Sequence, residues 1–207
     1  MNTEIVSAFE DTWLVRTLEV IRAGGVVAFP TDTVYGIGSD PFQPDAVKRL
    51  YEAKERPVDK AIPILIGSPQ DLLKVVAAVP AGVENLIEAY WPGALTLVLE
   101  KRDTISAIVS SGNTVGVRIP DHAIALELLK ASGPLAVTSA NPSGAKEARD
   151  SARVLDSLAG RIDLVVDGGQ TPGGYPSTVL DCSLEPPRVL RQGPISLPDI
   201  LARMDRP

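Results

Sequence analysis

The sequence predicts an α/β protein: a single domain with one twisted, mixed β-sheet, helices packed on it and a ligand cleft on one face. Its 207 residues suit one domain with one large core. Its 44% hydrophobic and 22% charged residues are ordinary for a soluble enzyme. Short apolar runs alternate with helix-period segments early and cluster late, which favours a mixed sheet over a parallel one. Ligands of such folds sit in a crevice fed by loops at the strand ends.

The first elements are defined by their period and by the residues that stop them. Apolar side chains share one face over residues 10–23, and the Gly24–Gly25 pair ends this predicted helix. A short apolar strand at Val26–Phe29 stops at Pro30. A polar turn follows, and a helix opens near Pro44, where the missing N–H of proline costs nothing.

The helix after Pro44 has an inward stripe that contains Val47, Leu50 and Tyr51. Lys54 continues this stripe at the helix end, and Arg56 and the helix-ending Pro57 follow. Two readings of these cations are open. They point together into a cleft, or they complement the negative end of the helix dipole.

The remaining elements complete an alternating and then strand-rich pattern. They are a strand at 62–66, a helix from capping Ser68 to about Val76, a helix at 80–90, strands at 94–99 and 114–119, a helix from capping Asp121 to Lys130, a strand at 135–137, a helix at 151–158, strands at 164–166, 177–181 and 188–191, and a last helix from about Pro198. Residues 103–112 are expected to form a loop with a short helical turn. No repeat or linker divides the chain, so we expect one domain over residues 1–207.

Charge and cysteine content exclude several classes of protein. The net charge is −6 and no basic run occurs, which argues against tight, sequence-independent nucleic-acid binding. The single cysteine, Cys182, excludes an internal disulfide and a cysteine-cluster zinc site, and its apolar strand context predicts a buried, unreactive thiol. The N-terminus has no signal pattern and no apolar run reaches spanning length, so we expect a cytoplasmic protein without membrane contact.

Common phosphate and metal motifs do not occur in the sequence. There is no GxxxxGK[ST] segment, and Gly36-Ile37-Gly38 lacks the third glycine of a dinucleotide fingerprint. The only histidine, His122, stands at a predicted helix start, where a structural role is favoured over catalysis. With one histidine, a histidine metal triad is excluded.

Polar side chains instead collect where predicted strands meet loops. Each has a structural reading, since Ser, Thr and Asn often close turns through their own backbone. Together, arginines and a lysine beside hydroxyl- and amide-rich turns suit a phosphate-bearing anion and a small polar ligand. These junctions are residues 30–33, 54–57, Thr114 with Arg118, 138–141, Arg149, 177–178 and Arg191.

Six segments, in this order and spacing, resemble the YrdC-type threonylcarbamoyl-AMP synthase family. They are PTDTVYG at 30–36, KER at 54–56, VRIPDH at 117–122, TSANPSG at 138–144, STVLD at 177–181 and VLRQG at 189–193. The resemblance covers about residues 10 to 195 and includes the family's paired residues Lys54/Arg56 and Ser139/Asn141. Longer members carry a linker and a further C-terminal domain that this sequence lacks, so it resembles the short type, a single domain of YrdC-like α/β fold.

The resemblance implies that L-threonine, bicarbonate and ATP become threonylcarbamoyl-AMP and pyrophosphate, the first step of tRNA threonylcarbamoyladenosine modification. Partner proteins would then transfer the threonylcarbamoyl group to tRNA, and direct tRNA contact is left open. Preorganised cations suit this reaction, because it brings two anions together. Mg²⁺ would be held chiefly by the ATP phosphates, with no metal ligand from the protein. The residues implied for ATP are Lys54, Arg56, Lys60, Thr114, Ser139, Asn141, Arg149 and Arg191.

For threonine, the resemblance implies that Arg118 holds the carboxylate bidentately. Thr33, Thr138 and Ser177 are candidates for the hydroxyl or the amine. No residue is assigned as general base, and no activated nucleophile points to covalent catalysis. Some family members have a histidine in the strand at 62–66, which is wholly apolar here, so a threonine contact expected there must come from elsewhere.

Two other functions use the same residues. An RNA-binding module of this fold would recognise tRNA or double-stranded RNA by shape, would be indifferent to amino acids and would show steep salt dependence. A relative with another carbamoyl-type substrate is the third possibility. The acidic balance and the intact motifs favour the synthase.

Overall fold

The computed structural model describes residues 2–173 and 176–204. The strands are short, because glycine, proline and polar residues interrupt the apolar runs. They are, in chain order, β1 (Glu4–Ser7), β2 (Val27–Phe29), β3 (Gly36–Ser39), β4 (Ile64–Leu65), β5 (Leu95–Glu100), β6 (Thr114–Arg118), β7 (Leu135–Ser139), β8 (Leu164–Asp167), β9 (Thr178–Asp181) and β10 (Arg188–Arg191).

The helices fill the intervals between these strands. They are α1 (Trp13–Arg22), α2 (Pro44–Lys54), α3 (Leu72–Val75, preceded by a 3-10 turn at Pro69–Asp71), α4 (Val83–Tyr90), α5 (Ala123–Ser132), α6 (Ser151–Leu158) and α7 (Leu197–Met204). Within the described residues, no helix has the length and apolar character needed to cross a membrane.

The ten strands form one sheet in the order β1-β8-β2-β3-β7-β4-β6-β5-β9-β10. Parallel pairs such as β4 with β6 and β5 with β9 occur beside antiparallel pairs such as β3 with β7 and β5 with β6. The predicted mixed sheet is therefore confirmed. Segments far apart in sequence become neighbours in this order, and this brings the predicted site segments together.

Each face of the sheet has its own apolar core. Helices α1 and α5 pack against one face, where Trp13, Leu128, Phe29 and Leu164 are buried together. Helices α2, α3, α4, α6 and α7 cover the other face. Side chains alternate along each strand, so Val27 and Phe29 belong to the first core while Ala28 belongs to the second.

The helix at residues 44–54 follows the sequence prediction closely. Pro44 occupies the first turn, and the predicted stripe, including Leu50 and Lys54, is buried. The helix stops because Glu55 adopts a left-handed conformation with φ of 53°. This turn gives Lys54 and Arg56 different directions, although only one residue separates them.

Two strands are absent from the predictions above. β3 lies in the segment predicted as a polar turn, and β1 precedes the first predicted helix. The sequence of β3, GIGS, contains two glycines, which are depleted in strands. β3 is nevertheless fully buried, because it is paired on both sides by β2 and β7. The sheet, and not local preference, makes this segment a strand.

Some predicted boundaries are wrong. The helix predicted to be capped by Asp121 has His122 in the capping position and begins at Ala123. The helix predicted from residue 80 begins at Val83, because Gly82 has a left-handed φ of 78°. In both cases backbone conformation places the boundary later than side-chain type suggests.

The single thiol is expected to be inert in the folded protein. Cys182 is buried next to β9, and burial raises the pKa of its thiol to about 12. Since the thiolate is the reactive form, native protein should react with Ellman's reagent at least about 100-fold more slowly than protein unfolded in denaturant. A time course of absorbance in both conditions measures this difference. Equal rates would contradict the burial of Cys182.

Candidate active site

A cavity of about 420 Å³ lies on the face of the sheet that also carries α1 and α5, beyond the area that these helices cover. The strand register fixes its floor. Leu65 of β4 pairs with Arg118 of β6, and Val98 of β5 pairs with Gly116, two residues before Arg118. The side chains of Leu65, Val98 and Arg118 therefore lie on one face. The volume suits a small-molecule ligand.

Arg118 is the buried cation of this floor, with 8% of its surface exposed. Its Nε donates to Gly93 O at 2.8 Å, and its Nη2 donates to the Asp32 carboxylate in an ion pair. Burial lowers the pKa of Arg118, and the charge of Asp32 opposes that shift. The guanidinium is therefore fixed on two sides. Among the described residues Nη1 has no hydrogen-bond partner, so its donors can serve a ligand.

The partner of Arg118 comes from the loop after β2. Asp32 uses Oδ2 for the ion pair, while its Oδ1 is buried and finds no partner among the described residues. His122 also has a buried Nδ1 without a partner there, and burial lowers the pKa of its imidazole although Asp32 and Asp121 act in the opposite direction. The ion pair with Asp32 therefore fixes the orientation of the Arg118 guanidinium.

Hydroxyl groups line the same cavity as this cation. Thr31 Oγ1 donates to Val34 O at 2.7 Å and lies 3.1 Å from Thr33 Oγ1, which shapes the loop after β2. Thr33 and Thr138, both predicted to bind threonine, line the cavity. Short hydrogen-bonding side chains and the fixed guanidinium thus line the same cavity.

A second polar group joins three strands of the floor. Ser177, just before β9, lies with its Oγ 2.8 Å from Thr96 Oγ1 of β5. Arg191, at the end of β10, donates from Nη2 to Ser177 Oγ and from Nε to Ser177 O, each at 3.1 Å. Burial lowers the pKa of Arg191, and the charge of Glu147 opposes that shift. The antiparallel β9–β10 pair therefore brings Arg191 to the cavity.

The cavity has further charged groups on its lining. Arg56 donates from Nε to Lys60 O at 3.1 Å and from Nη2 to Ala61 O at 2.9 Å, which closes the turn after α2. Glu147, from the loop before α6, is an acidic lining residue. Arg56, Arg118 and Arg191 thus line one cavity, together with Ser139 at the end of β7.

Lys54 and Asn141 lie next to the cavity but do not line it. The ammonium of Lys54 donates to the backbone carbonyls of Ser139 and Asn141, and burial lowers its pKa to about 8, with the charge of Arg56 as a second cause. Asn141 Nδ2 donates to Pro142 O and Ala145 O at 2.9 and 2.8 Å, which folds the loop on itself.

Three other predicted ATP residues also lie outside the lining. Lys60 is exposed in the turn after Arg56. Arg149 is exposed and donates to the carbonyls of Thr171 and Pro172. Thr114 pairs with Glu100 at the far end of β6, four residues from Arg118. An extended strand of that length separates the two by about 13 Å.

Thr31, Thr96 and Glu147 line the cavity although the sequence predicts no ligand contact for them, and only Thr31 belongs to a predicted junction, at 30–33. Thr31 lies in the PTDTVYG segment, so the resemblance could have included it. Thr96 and Glu147 carry no such signal, because one is inside a strand and the other in an exposed loop. Leu65 also lines the cavity, so the apolar strand after the turn contributes an apolar side chain there.

The fold and this site define the class of protein. The Sua5/YciO/YrdC family model, described as telomere recombination, matches residues 19–193. The threonylcarbamoyl-AMP synthase of Pyrococcus abyssi is 41% identical over 193 residues, and that of Bacillus subtilis strain 168 is 42% identical over 195 residues. The chain therefore belongs to the Sua5/YciO/YrdC family.

The alignments cover most of this chain but a smaller share of those relatives. They include 92% and 93% of this chain, and 57% and 56% of the P. abyssi and B. subtilis proteins. A crystal structure of P. abyssi Sua5 complexed with L-threonine superposes with a TM-score of 0.91 at 38% identity. It covers 99% of this chain and 61% of that one. The sheet architecture of this chain is thus that of Sua5.

Proposed function

We propose that this protein is an L-threonylcarbamoyladenylate synthase that converts L-threonine, bicarbonate and ATP to threonylcarbamoyl-AMP and pyrophosphate. One observation carries the proposal: a single cavity is lined by a fixed arginine with hydroxyls, suited to an amino acid, and by two more arginines, suited to phosphates. The names of the relatives at about 40% identity, and the threonine in the Sua5 complex, support the same activity.

Threonine is proposed to bind on the Arg118 side. The free donors of the guanidinium would hold the carboxylate, and Thr33, Thr138 and Ser177 would meet the hydroxyl or the amine. Asp32 keeps Arg118 in place and already neutralises part of its charge. A pocket built for a hydroxyl rejects valine, because its polar groups would lose their partner.

The nucleotide is proposed to bind on the side of Arg56 and Arg191, with Ser139 contributing a hydroxyl. The remaining predicted ATP residues do not line the cavity, and their contacts with ATP stay predictions: Lys54, Lys60, Thr114, Asn141 and Arg149. Among the described residues, no group of three or more His, Cys, Asp and Glu side chains is arranged to hold a metal. We propose that Mg²⁺ is held chiefly by the ATP phosphates.

The proposed reaction has two steps, the formation of a carbamate and its adenylation by ATP. The neutral amine of threonine attacks bicarbonate, which gives a carbamate and water. A carbamate oxygen then attacks the α-phosphorus of ATP, and pyrophosphate leaves with the electrons of the broken P–O bond. Both reactants of the second step are anions, so the arginines of the cavity lower the barrier by preorganised electrostatics.

The wider setting is part of the same proposal. We place the protein in the cytoplasm as a single domain over residues 1–207, where further proteins would move the threonylcarbamoyl group to tRNA. An RNA-binding module is the alternative. It would need no threonine, whereas the arginines here line a cavity on one sheet face and are paired with protein groups.

The proposal is tested by pyrophosphate release from the purified chain. We expect release only when ATP, Mg²⁺, bicarbonate and an accepted amino acid are all present. The kcat/KM for serine should be at least about tenfold lower than that for L-threonine, since serine lacks one methyl group. Valine should support no release. Calorimetry of threonine binding with and without ATP provides a second measurement. Pyrophosphate release that does not depend on threonine would contradict the proposal. Binding of tRNA that falls steeply with salt concentration and does not change with amino acids would favour the RNA-binding module.

A further inference from the structure

Lys54 and Arg56 leave the end of α2 in different directions. The helix ends at Lys54, and Glu55 turns the backbone with its left-handed φ of 53°. Arg56 N then donates to Tyr51 O at 3.0 Å, and the Arg56 side chain reaches the cavity. Lys54 instead runs beneath the loop that follows β7.

Two independent contacts connect Lys54 to that loop, residues 139–143. Its ammonium donates to the carbonyls of Ser139 and Asn141 and lies 3.4 Å from Ser139 Oγ. In the other direction, Ser143 N donates to Lys54 O at 2.8 Å. That carbonyl belongs to the last helical residue, where no intrahelical partner is available. Side chain and main chain of Lys54 thus both bind one loop.

The ammonium is enclosed by protein. Lys54 is only 2% exposed, it lies outside the lining of the cavity, and its contacts are with carbonyl oxygens. Two carbonyl dipoles that converge on one point repel each other unless a donor lies between them, and a buried ammonium is stable only when such acceptors surround it. The buried ammonium of Lys54 and the two loop carbonyls therefore depend on each other.

We propose that Lys54 is a positioning residue that fixes the loop 139–143 for the nucleotide, and that its ammonium does not touch the phosphates. This rests on the proposed function and deepens it. The loop begins with Ser139, which lines the cavity, and continues through Asn141, whose side chain closes the loop. Arg56, two residues further on, is the cation that faces the ligand.

The test compares Lys54→Met with Arg56→Met in the full chain. Lys54→Met keeps an unbranched side chain that is one atom shorter, and it removes the donors. We expect amide hydrogen exchange in a peptide that includes residues 139–145 to accelerate at least tenfold, while exchange in α1 stays unchanged. The affinities for ATP and AMP should fall by the same factor, about tenfold each, and the threonine Kd without nucleotide should stay within threefold.

Arg56→Met serves as the matched control, because it removes a cation that lines the cavity. This substitution should weaken the binding of ATP more than the binding of AMP. It should leave amide hydrogen exchange in residues 139–145 unchanged. If Lys54→Met shows that same pattern, Lys54 binds phosphate directly and the proposal is overturned. If the methionine variant does not fold, the same measurements are made on Lys54→Gln, which keeps one donor group. We again expect faster exchange in residues 139–145 and an equal loss of affinity for ATP and AMP.

Failure of the proposed function is distinguishable from failure of this inference. Wild-type protein that binds neither ATP nor threonine would reject the synthase. The exchange measurement needs no ligand, so unchanged exchange in Lys54→Met would reject the positioning role by itself.

Discussion

Replacing Arg118 with lysine is expected to weaken L-threonine binding by about 10- to 100-fold. Arg118 offers a planar guanidinium that is already fixed by Gly93 O and Asp32, and lysine cannot reproduce its two parallel donors. Hydrogen bonds to charged groups are worth about 1.5–3 kcal/mol, which corresponds to that loss in affinity. Calorimetric titration with threonine in the absence of nucleotide measures the effect.

The choice of lysine keeps a cation opposite Asp32. Removing the charge altogether would leave a buried carboxylate without its partner, which destabilises proteins by about 3–5 kcal/mol and would confuse binding with folding. Arg102→Lys is the matched control, because Arg102 is exposed, donates to Leu73 O and lies outside the cavity lining. A threonine Kd within threefold of wild type in Arg118→Lys would exclude Arg118 as the carboxylate ligand.

Replacing Gly193 with alanine is expected to lower the free energy of unfolding by about 3 kcal/mol, the upper part of the usual range for overpacking. A Cβ at this position would lie 2.3 Å from Thr178 N, 2.5 Å from Pro176 O and 2.6 Å from the carbonyl carbon of Ser177. All three are backbone atoms, so no rotamer change relieves the clash. Denaturant unfolding followed by circular dichroism measures the loss.

The same clash should reach the cavity. Gly193 N donates to Thr178 Oγ1 at 3.0 Å, and Ser177 is the residue that Arg191 contacts. Displacing this segment therefore shifts a candidate threonine residue and a candidate phosphate residue at once. Gly112→Ala is the control, since nothing lies within 4 Å of its added Cβ, and it should change stability by less than about 1 kcal/mol. Equal unfolding midpoints for the two variants would refute the packing argument.

Much of the fold could be predicted because its signals are local. The helix at 151–158 and the strand at 188–191 have the predicted bounds, since periodicity and turn residues define both. β3 could not be predicted in this way. Its glycine-rich sequence has little strand preference. It becomes a strand because it pairs with β2 and with β7, which lies far away in the sequence.

The candidate site divides in a similar manner. Arg118, Ser177 and Arg191 were predicted from residue type and resemblance, and all three line the cavity. Their convergence depends on the strand order β6-β5-β9-β10, which brings together residues as far apart as Thr96 and Ser177, 81 positions from each other in the sequence. Thr96, on β5, enters the lining only through this order.

The end of α2 shows where local information stops. The sequence by itself determined that Lys54 would continue the buried stripe of the helix, because a period of 3.6 residues places it there. It also determined that Arg56 would follow near the helix end, because Pro57 stops the helix. Only the tertiary structure decided that Lys54 meets the carbonyls of Ser139 and Asn141 while Arg56 faces the cavity. Helical period is a property of neighbouring residues, whereas the partners of a buried charge come from a strand some 85 residues away.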